Sequence, residues 1–282
     1  MKKQSITVRV PATTSNLGPG FDCLGVALKI YNEITLAPAH KLDAPPMARQ
    51  AARKFFQAVN REPFAFSCKI EGNVPQARGL GSSVTVRLGV LHALNHLLKR
   101  PLRRAEVARL CAQLEGHPDN AMPAEFGGFV VSRESGRQKF PVSARLRFVL
   151  LIPAFEIRTK EAREVLPNEI DRRCAVESCG NACAITAAFA SGRYENLRGA
   201  LVDHLHQPFR AKFVPFLDDV IAAAEKAGAL GGFLSGSGST VIALTLRSPK
   251  KIAAAMRAAS GLADAQTLIT TADNHGTHAA LA

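Results

Sequence analysis

Residues 75–98 read PQARGLGSSVTVRLGVLHALNHLL, and this stretch decides the fold that the sequence predicts. Its first nine residues form a turn rich in glycine and serine, and a helical pattern of apolar residues follows. These apolar residues are 4, 3, 3 and 4 positions apart, which places them on one face of a helix: Val84, Leu88, Leu91, Leu94 and Leu98. The stretch therefore predicts a loop that leads directly into a long helix.

The glycine-rich turn combines features of an anion-binding site. A helix start offers N–H groups without partners and the positive end of the helix dipole. Gly79 and Gly81 let the backbone approach an anion, and the hydroxyls of Ser82 and Ser83 add donors or a metal ligand. These features favour a phosphate-binding loop, although it is neither a Walker A sequence nor a GxGxxG motif. The alternative is a capped helix after an ordinary turn, because serine is a good N-cap.

Upstream, residues 11–22 read PATTSNLGPGFD. Polar side chains on a loop fixed by glycine and proline suit a small polar substrate. Asp22 could accept a hydrogen bond from a substrate hydroxyl. The alternative is that Asp22 satisfies its own backbone in a turn.

Downstream, residues 114–120 read LEGHPDN, at the end of a predicted helix over 103–114. A carboxylate in this position opposes the helix dipole, and a bound cation such as Mg²⁺ would explain Glu115. The alternative for His117 and Asn120 is turn chemistry around Pro118. Farther on, Ser235-Gly-Ser-Gly-Ser239 lies between two predicted strands, where it forms either a support for a phosphate site or a plain hairpin turn.

The rest of the chain mixes strands and helices without strict alternation, which favours an α+β fold. Strands are expected over 6–10, 26–36, 64–70, 127–132, 146–152, 230–234 and 240–246, and an edge strand is expected near Leu268. Further helices are expected over 47–60, 171–190, 211–227 and 249–259, and residues 13–22 are expected to form a loop. Pro153 suggests a boundary between domains at 1–150 and 151–282.

Composition excludes several classes of protein. Of 282 residues, 47% are hydrophobic and 21% charged, which argues against a disordered or fibrous chain. The net charge of +13 favours anionic partners. The longest uncharged stretch, 227–246, contains five glycines and five serines or threonines, which is unlike a membrane span. Six cysteines without a CxxC pair, and no export signal, predict reduced thiols in the cytoplasm. Few aromatic residues accompany the basic ones, so nucleic-acid binding is not expected.

Together, the four segments resemble the GHMP family of small-molecule kinases, in order and spacing, over nearly the whole chain. Residues 11–28 (PATTSNLGPGFDCLGVAL) are similar to the N-terminal motif of the members that phosphorylate L-homoserine. GLGSS is similar to the phosphate loop of the family. EGHPDN, followed by Pro123 and Gly127-Gly128, and later His206-Gln-Pro-Phe-Arg210 and SGSGS, are similar to the remaining motifs.

This resemblance implies an N-terminal domain like the second domain of ribosomal protein S5 and a ferredoxin-like C-terminal domain. It implies transfer of phosphate from ATP, with Mg²⁺, to the side-chain hydroxyl of L-homoserine for threonine synthesis, by a homodimer. The residues implied to bind ATP are Pro75, Arg78, Gly79, Leu80, Gly81, Ser82, Ser83, Val84 and Thr85. Ser83 and Glu115 would hold Mg²⁺. The substrate would contact Asn16, Asp22, His117 and Asn120, with its carboxylate on Arg210, and Asp22 would be catalytic.

The sequence also departs from the family pattern. Asn181 stands where a substrate-binding arginine is usual, Ser239 replaces a proline, and Arg87 replaces a small residue. The segment that shapes the adenine pocket is reduced to residues 42–44. Loss of an arginine should weaken carboxylate recognition. Two alternatives therefore stay open: a GHMP kinase for another hydroxyl compound, and a non-catalytic nucleotide-binding paralogue.

Overall fold

The structure is a computed structural model that describes residues 5–281. Its strands are β1 (Ile6–Asn16), β2 (Gly20–Pro38), β3 (Phe66–Gly72), β4 (Phe129–Arg133), β5 (Gly136–Phe140), β6 (Arg147–Ile152), β7 (Gly231–Leu234), β8 (Val241–Thr245), β9 (Gln266–Thr270) and β10 (His278–Leu281). Its α-helices are α1 (Pro46–Val59), α2 (Ser82–Leu97), α3 (Arg104–Glu115), α4 (Ala121–Phe126), α5 (Thr159–Glu164), α6 (Arg172–Ser191), α7 (Gln207–Arg210), α8 (Leu217–Lys226) and α9 (Pro249–Ser260). Short 3₁₀ turns cover Tyr194–Leu197 and Ala211–Phe213. The predicted α+β mixture of helices and strands is confirmed, and the structure pairs the named strands antiparallel.

The first sheet has six strands, in the order β10-β1-β2-β4-β5, with β3 also paired to β2. The long hairpin of β1 and β2 lies in the middle of this sheet. The expectation of a loop over 13–22 is wrong, since β1 continues to Asn16 and β2 begins at Gly20. The reason is tertiary: Thr13 pairs with Ala27 and Asn16 with Gly20, so residues with weak strand propensity find hydrogen-bond partners in the sheet. The connecting turn is thus short and held rigidly at both ends.

Helices α1 to α4 pack with the first sheet around one apolar core. The predicted long helix is confirmed as α2, and its apolar positions Leu88, Leu91 and Leu94 are fully buried. Phe55 of α1 and Val107 of α3 belong to the same cluster. Because α2 packs against α1, α3, α4, β1 and β2, the position of its N-terminus is fixed.

The second sheet has the order β7-β8-β6-β9, and every pairing is antiparallel. Helix α8 precedes β7, and α9 connects β8 to β9, so the chain runs β-α-β-β-α-β, which is the ferredoxin-like pattern. The predicted edge position of the strand near Leu268 is confirmed, because β9 ends the order. No helix in the range 5–281 is both long and apolar enough to cross a membrane.

The two sheets are joined more closely than a single boundary suggests. Strand β6 begins at Arg147 and belongs to the second sheet, while β10, near the end of the chain, pairs with β1 of the first. Phe189 of α6 stacks on Phe129 of β4, with ring centroids 4.2 Å apart. The division at residue 150 stays a prediction, and the cavity described next is lined from both sides of it.

Candidate active site

A cavity of about 580 Å³ collects the segments that the sequence singled out. Four parts of the chain line it: the β1–β2 turn, the loop before α2, the residues after α3, and the β7–β8 turn. Helix α5 and the residues before it complete the wall. A cavity of this size with a few convergent polar groups suits a small-molecule ligand.

The loop before α2, here called the glycine loop (Gly79–Ser83), has the conformation that its glycines allow. Gly79 and Gly81 have φ of 70° and 66°, in the left-handed region. Gly81 is also the N-cap of α2, and no side chain caps the helix. The N–H groups of the first helical turn are therefore available at the cavity. This geometry favours the phosphate-binding interpretation over the capped-helix alternative.

The β7–β8 turn supports the glycine loop. Ser235 Oγ donates a 2.7 Å hydrogen bond to the carbonyl oxygen of Gly79. A Cβ atom on Gly79 would lie 2.0 Å from the carbonyl oxygen of Ser235, so only glycine permits this approach. Both interpretations of the SGSGS segment thus hold: it is a hairpin turn, and it contacts the predicted phosphate loop.

Most, though not all, residues expected to bind ATP line the cavity. The residues that do so are Gly79, Leu80, Gly81, Ser82, Ser83 and Val84. Pro75, Arg78 and Thr85 are outside the lining. Arg78 donates to the carbonyl oxygen of Pro153 at 2.8 Å, and Thr85 is buried and hydrogen-bonded to Asn32. Arg78 therefore connects the loop to the segment after β6.

The two expected metal ligands lie together. Ser83 Oγ donates to Glu115 Oε2 at 2.9 Å, although the residues are on different helices. A hydroxyl and a carboxylate are hard oxygen donors, which Mg²⁺ prefers, and both line the cavity beside the first turn of α2. The donor set therefore fits Mg²⁺. The second carboxylate oxygen, Oε1, is 2.6 Å from Nη1 of Arg87.

Asp22 is paired with an arginine that the sequence analysis did not select. Arg163 Nη2 is 2.6 Å from Asp22 Oδ1, and Nη1 is 3.1 Å from Oδ2, a two-pronged ion pair. The backbone at Asp22 has φ of 57°, and its N–H donates to Asn16 Oδ1 at 3.1 Å. The β1–β2 turn thus holds Asn16 and Asp22 as a unit, and α5 supplies the opposing charge.

His117 and Asp119 form a second ionic pair beside Asp22. His117 Nδ1 is 2.5 Å from Asp119 Oδ1, and one ligand atom from each of Asp22, His117 and Asp119 falls within 4.8 Å of the others. Burial alone would lower the pKa of His117, but the hydrogen bond and the charge of Asp119 outweigh it and raise the pKa. Burial likewise would raise the pKa of Asp119, but the hydrogen bond and charge of His117 lower it.

Arg210 is a buried cation at this end of the cavity. Its Nε donates to the carbonyl oxygen of Ala162 at 2.9 Å, and Nη1 donates to that of Gly236, also at 2.9 Å. Nη1 also lies 3.2 Å from Nδ1 of His206, whose Nε2 donates to the carbonyl oxygen of Gly18. Burial and the charge of Arg163 lower the pKa of Arg210 to about 10, so it stays protonated at neutral pH. Within residues 5–281, its second amino group, Nη2, makes no hydrogen bond.

Asn120 connects the two ends of the site. Its Oδ1 accepts a 2.7 Å hydrogen bond from Thr13, and its Nδ2 donates to Ser15 Oγ at 2.9 Å. A Cβ atom on Gly81 would lie 2.2 Å from Thr13 Oγ1, so the glycine loop contacts the same strand. Asn16, Asp22, His117, Asn120 and Arg210 therefore line one cavity with the glycine loop.

Sequence reasoning missed several lining residues. Arg163 lies in a charged segment, Thr159–Glu164, that has the composition of a solvated surface helix. Apolar lining comes from Pro45, Pro46, Met47 and Ile70, outside the motifs. Asn181 does not line the cavity, and its amide donates to the carbonyl oxygen of Val202 at 3.1 Å. No residue spacing indicates these positions, since only the tertiary fold brings them to the site.

Comparison with known proteins agrees with this geometry. The family model described as the GHMP kinases N terminal domain matches residues 46–128, and that described as GHMP kinases C terminal matches residues 185–261. A homoserine kinase of Carboxydothermus hydrogenoformans is 40% identical, over 85% of this chain and 84% of that protein. A homoserine kinase of Trichormus variabilis is 39% identical, over 96% of this chain and 98% of that protein.

Among solved structures, the crystal structure of homoserine kinase from Cytophaga hutchinsonii superposes with a TM-score of 0.89. It is 27% identical, and the match covers 99% of this chain and 98% of that one. The match to the Trichormus variabilis relative and the superposition thus extend over nearly the full length, and the two family models cover residues within it. Since the two family models together match more than half of the chain and these relatives are about 40% identical over most of it, this chain is a kinase of the GHMP family.

Proposed function

We propose that the protein transfers the γ-phosphoryl group of ATP to the side-chain hydroxyl of L-homoserine. The hydroxyl oxygen forms a bond to the γ-phosphorus, the bond to the bridging oxygen of ADP breaks, and the hydroxyl proton is released. The products are O-phospho-L-homoserine and ADP. The relatives named as homoserine kinases support this acceptor. The observation on which the proposal rests is the cluster of Asp22, Arg163 and Arg210 in the same cavity as the glycine loop.

The glycine loop is proposed to bind the triphosphate. The N–H groups of the first turn of α2 point their dipoles toward the cavity, and the positive end of the helix favours anions. Ser83 and Glu115 would hold Mg²⁺, which would neutralise charge on the phosphates. The apolar lining at Pro45, Pro46 and Met47 offers a surface for the adenine ring. In phosphoryl transfer, positioning and charge neutralisation do most of the work, so no strong base is needed.

The acceptor is proposed to bind through two arginines. Arg210 has one amino group left for a ligand, and Arg163 reaches the same part of the cavity from α5. Both guanidinium groups lie over the ring of Phe21, with their central carbons 5.3 and 5.4 Å from its centre. Arg163 would therefore supply the second charge on the substrate carboxylate, which Asn181 cannot supply from outside the cavity. Asp22 would orient the hydroxyl, with Asn16, His117 and Asn120 beside it.

Location, pathway and assembly are part of the proposal. We infer a cytoplasmic enzyme of threonine biosynthesis, because the relatives that this chain matches are named homoserine kinases. The resemblance to the family also favours a homodimer, which sedimentation equilibrium would test directly. A monomer at every concentration would contradict that part of the proposal alone.

The test is release of ADP with a panel of acceptors. L-homoserine should give the highest kcat/KM, and 31P spectra should identify O-phosphohomoserine. Two truncated alcohols test recognition of the two charged groups of the substrate separately. 3-Aminopropan-1-ol lacks the carboxylate, and 4-hydroxybutanoate lacks the ammonium group. For each of these alcohols, kcat/KM should be lower than for L-homoserine by about 100-fold or more, since a charged group of the site is left without its partner. A higher kcat/KM with another alcohol would favour a different acceptor. ATP binding without ADP release for any acceptor would favour the non-catalytic alternative.

A further inference from the structure

A guanidinium group lies against the carboxylate that is proposed to hold Mg²⁺. Arg87 follows Ser83 by one turn of α2, so their side chains share one face of the helix. Arg87 Nη1 is 2.6 Å from Glu115 Oε1, and Ser83 Oγ is bonded to Oε2. The two oxygens of one carboxylate are therefore divided between a resident cation and a hydroxyl.

Contacts with two neighbouring helices, α3 and α1, fix the guanidinium in place. Nη1 also donates to the carbonyl oxygen of Leu114 at 2.7 Å, and Nη2 donates to Gln50 Oε1 of α1 at 3.1 Å. The side chains of Arg87 and Glu115 are only 13% and 10% exposed, so water screens the pair weakly. Glu115 lines the cavity and Arg87 does not, so the guanidinium contacts the carboxylate from outside the cavity.

This arrangement has opposite effects with and without a divalent cation. Without one, Arg87 compensates the charge of a largely buried carboxylate, whose charge would otherwise be costly. With one, the positive charge of Arg87 stands within a few ångströms of the cation, and the two repel each other. The single negative charge of Glu115 cannot fully neutralise both the Arg87 guanidinium and a divalent cation.

We infer that Arg87 lowers the affinity of the Ser83–Glu115 site for a divalent cation while it holds Glu115 in place in the metal-free protein. The inference rests on the proposed function, because that proposal places the metal at this site. It makes Arg87 a positioning residue that sets the metal requirement of the kinase.

The test uses Mn²⁺, which accepts the same oxygen ligands and is visible by electron paramagnetic resonance. Mn²⁺ affinity is measured in the complex with the non-hydrolysable analogue AMP-PNP, for the unmodified protein and for Arg87→Met. The variant should bind Mn²⁺ about tenfold more tightly, because the repelling charge is gone. Without metal, the variant should also unfold at a lower temperature than the unmodified protein does. Addition of Mn²⁺ should raise the unfolding temperature of the variant by more than it raises that of the unmodified protein. Arg53→Met, which removes an exposed arginine from α1, should change neither quantity.

The outcomes separate this inference from the proposal beneath it. Equal or weaker Mn²⁺ binding by Arg87→Met, with binding still lost in Glu115→Gln, overturns the role of Arg87 alone. Mn²⁺ binding that Glu115→Gln leaves unchanged overturns the metal site itself. If Arg87→Met does not fold without metal, refolding with Mn²⁺ and AMP-PNP should recover it, and a failure to recover contradicts the inference. Arg87→Gln, which is neutral and keeps a side-chain N–H donor, should also tighten Mn²⁺ binding.

Discussion

At the scale of single residues, the ion pair between Asp22 and Arg163 is the feature most specific to this site. The two side chains are 33% and 36% exposed, and exposed pairs contribute at most about 1 kcal/mol to stability. Both residues also line the cavity, Asp22 from β2 in a left-handed conformation and Arg163 from α5. Its placement is therefore better explained by ligand recognition than by folding.

Replacement of Arg163 should separate binding from stability. Arg163→Met should raise KM for L-homoserine about 100-fold, because a charge-assisted partner of the carboxylate is lost, while the free energy of unfolding changes by no more than about 1 kcal/mol. Steady-state kinetics and urea unfolding measure the two quantities. Lys160→Met on the same helix is a matched control, since Lys160 is 88% exposed and makes only a surface pair with Glu164. An unchanged KM in Arg163→Met would remove Arg163 from the acceptor site.

Replacement of Gly81 tests the conformation of the glycine loop. Gly81→Ala adds a Cβ atom 2.2 Å from Thr13 Oγ1 at a residue with positive φ, so the loop must shift. ATP affinity, measured calorimetrically, should fall at least about tenfold, because the loop N–H groups lose their alignment. Gly180→Ala is the control, since its added Cβ would meet no atom within 4 Å. Full ATP affinity in Gly81→Ala would contradict the assignment of the loop.

At the scale of elements, the sequence patterns located most helices and strands but not all of the site. The helical spacing from Val84 to Leu98 predicted α2 to within two residues, because that face is apolar and is fully buried from Val84 to Leu94. Short elements escaped: α4, α5, α7 and β5 have four to six residues each, too few to show a period. The wrong prediction of a loop over 13–22 has a different origin, since pairing in the sheet overrode local propensity there. Arg163 was missed because its helix, α5, has only six residues and a polar surface composition.

Helix α6 connects the two halves of the molecule through one aromatic contact. Phe189 is buried and stacks on Phe129 with their rings 9° from parallel, and Tyr194 packs edge-on against it. Phe189→Ala should lower the free energy of unfolding by about 3–5 kcal/mol, because the ring leaves a cavity between α6 and the first sheet. Urea unfolding monitored by circular dichroism gives the value. Val176→Ala on the same helix should cost under about 0.5 kcal/mol, since Val176 is 67% exposed. Equal effects from both changes would contradict this packing.

At the scale of the whole molecule, two histidines, His206 and His117, give stability opposite dependences on pH. Burial lowers the pKa of His206 from 6.5 to about 4, although the charge of Asp203 opposes the shift. The folded protein therefore binds fewer protons there than the unfolded chain, so the stability contribution is present above pH 6.5 and is lost as pH falls toward about 4. His117 acts in the other direction, because its pKa is raised, and its contribution is lost as pH rises through that value.

An NMR titration of the histidine rings tests this assignment. The ring of His206 should stay neutral down to about pH 4, since Nε2 donates to Gly18 and Nδ1 faces Arg210. The ring of His117 should titrate above 6.5. Over the range from 6.5 to about 4, the free energy of unfolding should fall by at most about 1.4 kcal/mol per pH unit from His206. Titration of His206 near 6.5 would contradict the buried, neutral state in which it holds Arg210.

Nucleotide and acceptor are proposed to share the one cavity, and the crystal structure of a ternary complex tests this placement most directly. With AMP-PNP, Mg²⁺ and L-homoserine bound, the γ-phosphorus should lie about 3–3.5 Å from the homoserine hydroxyl oxygen. The triphosphate should accept hydrogen bonds from the N–H groups at the start of α2, and the carboxylate should lie on Arg163 and Arg210. A triphosphate bound away from the glycine loop, or an amino acid bound outside the cavity, would contradict the account.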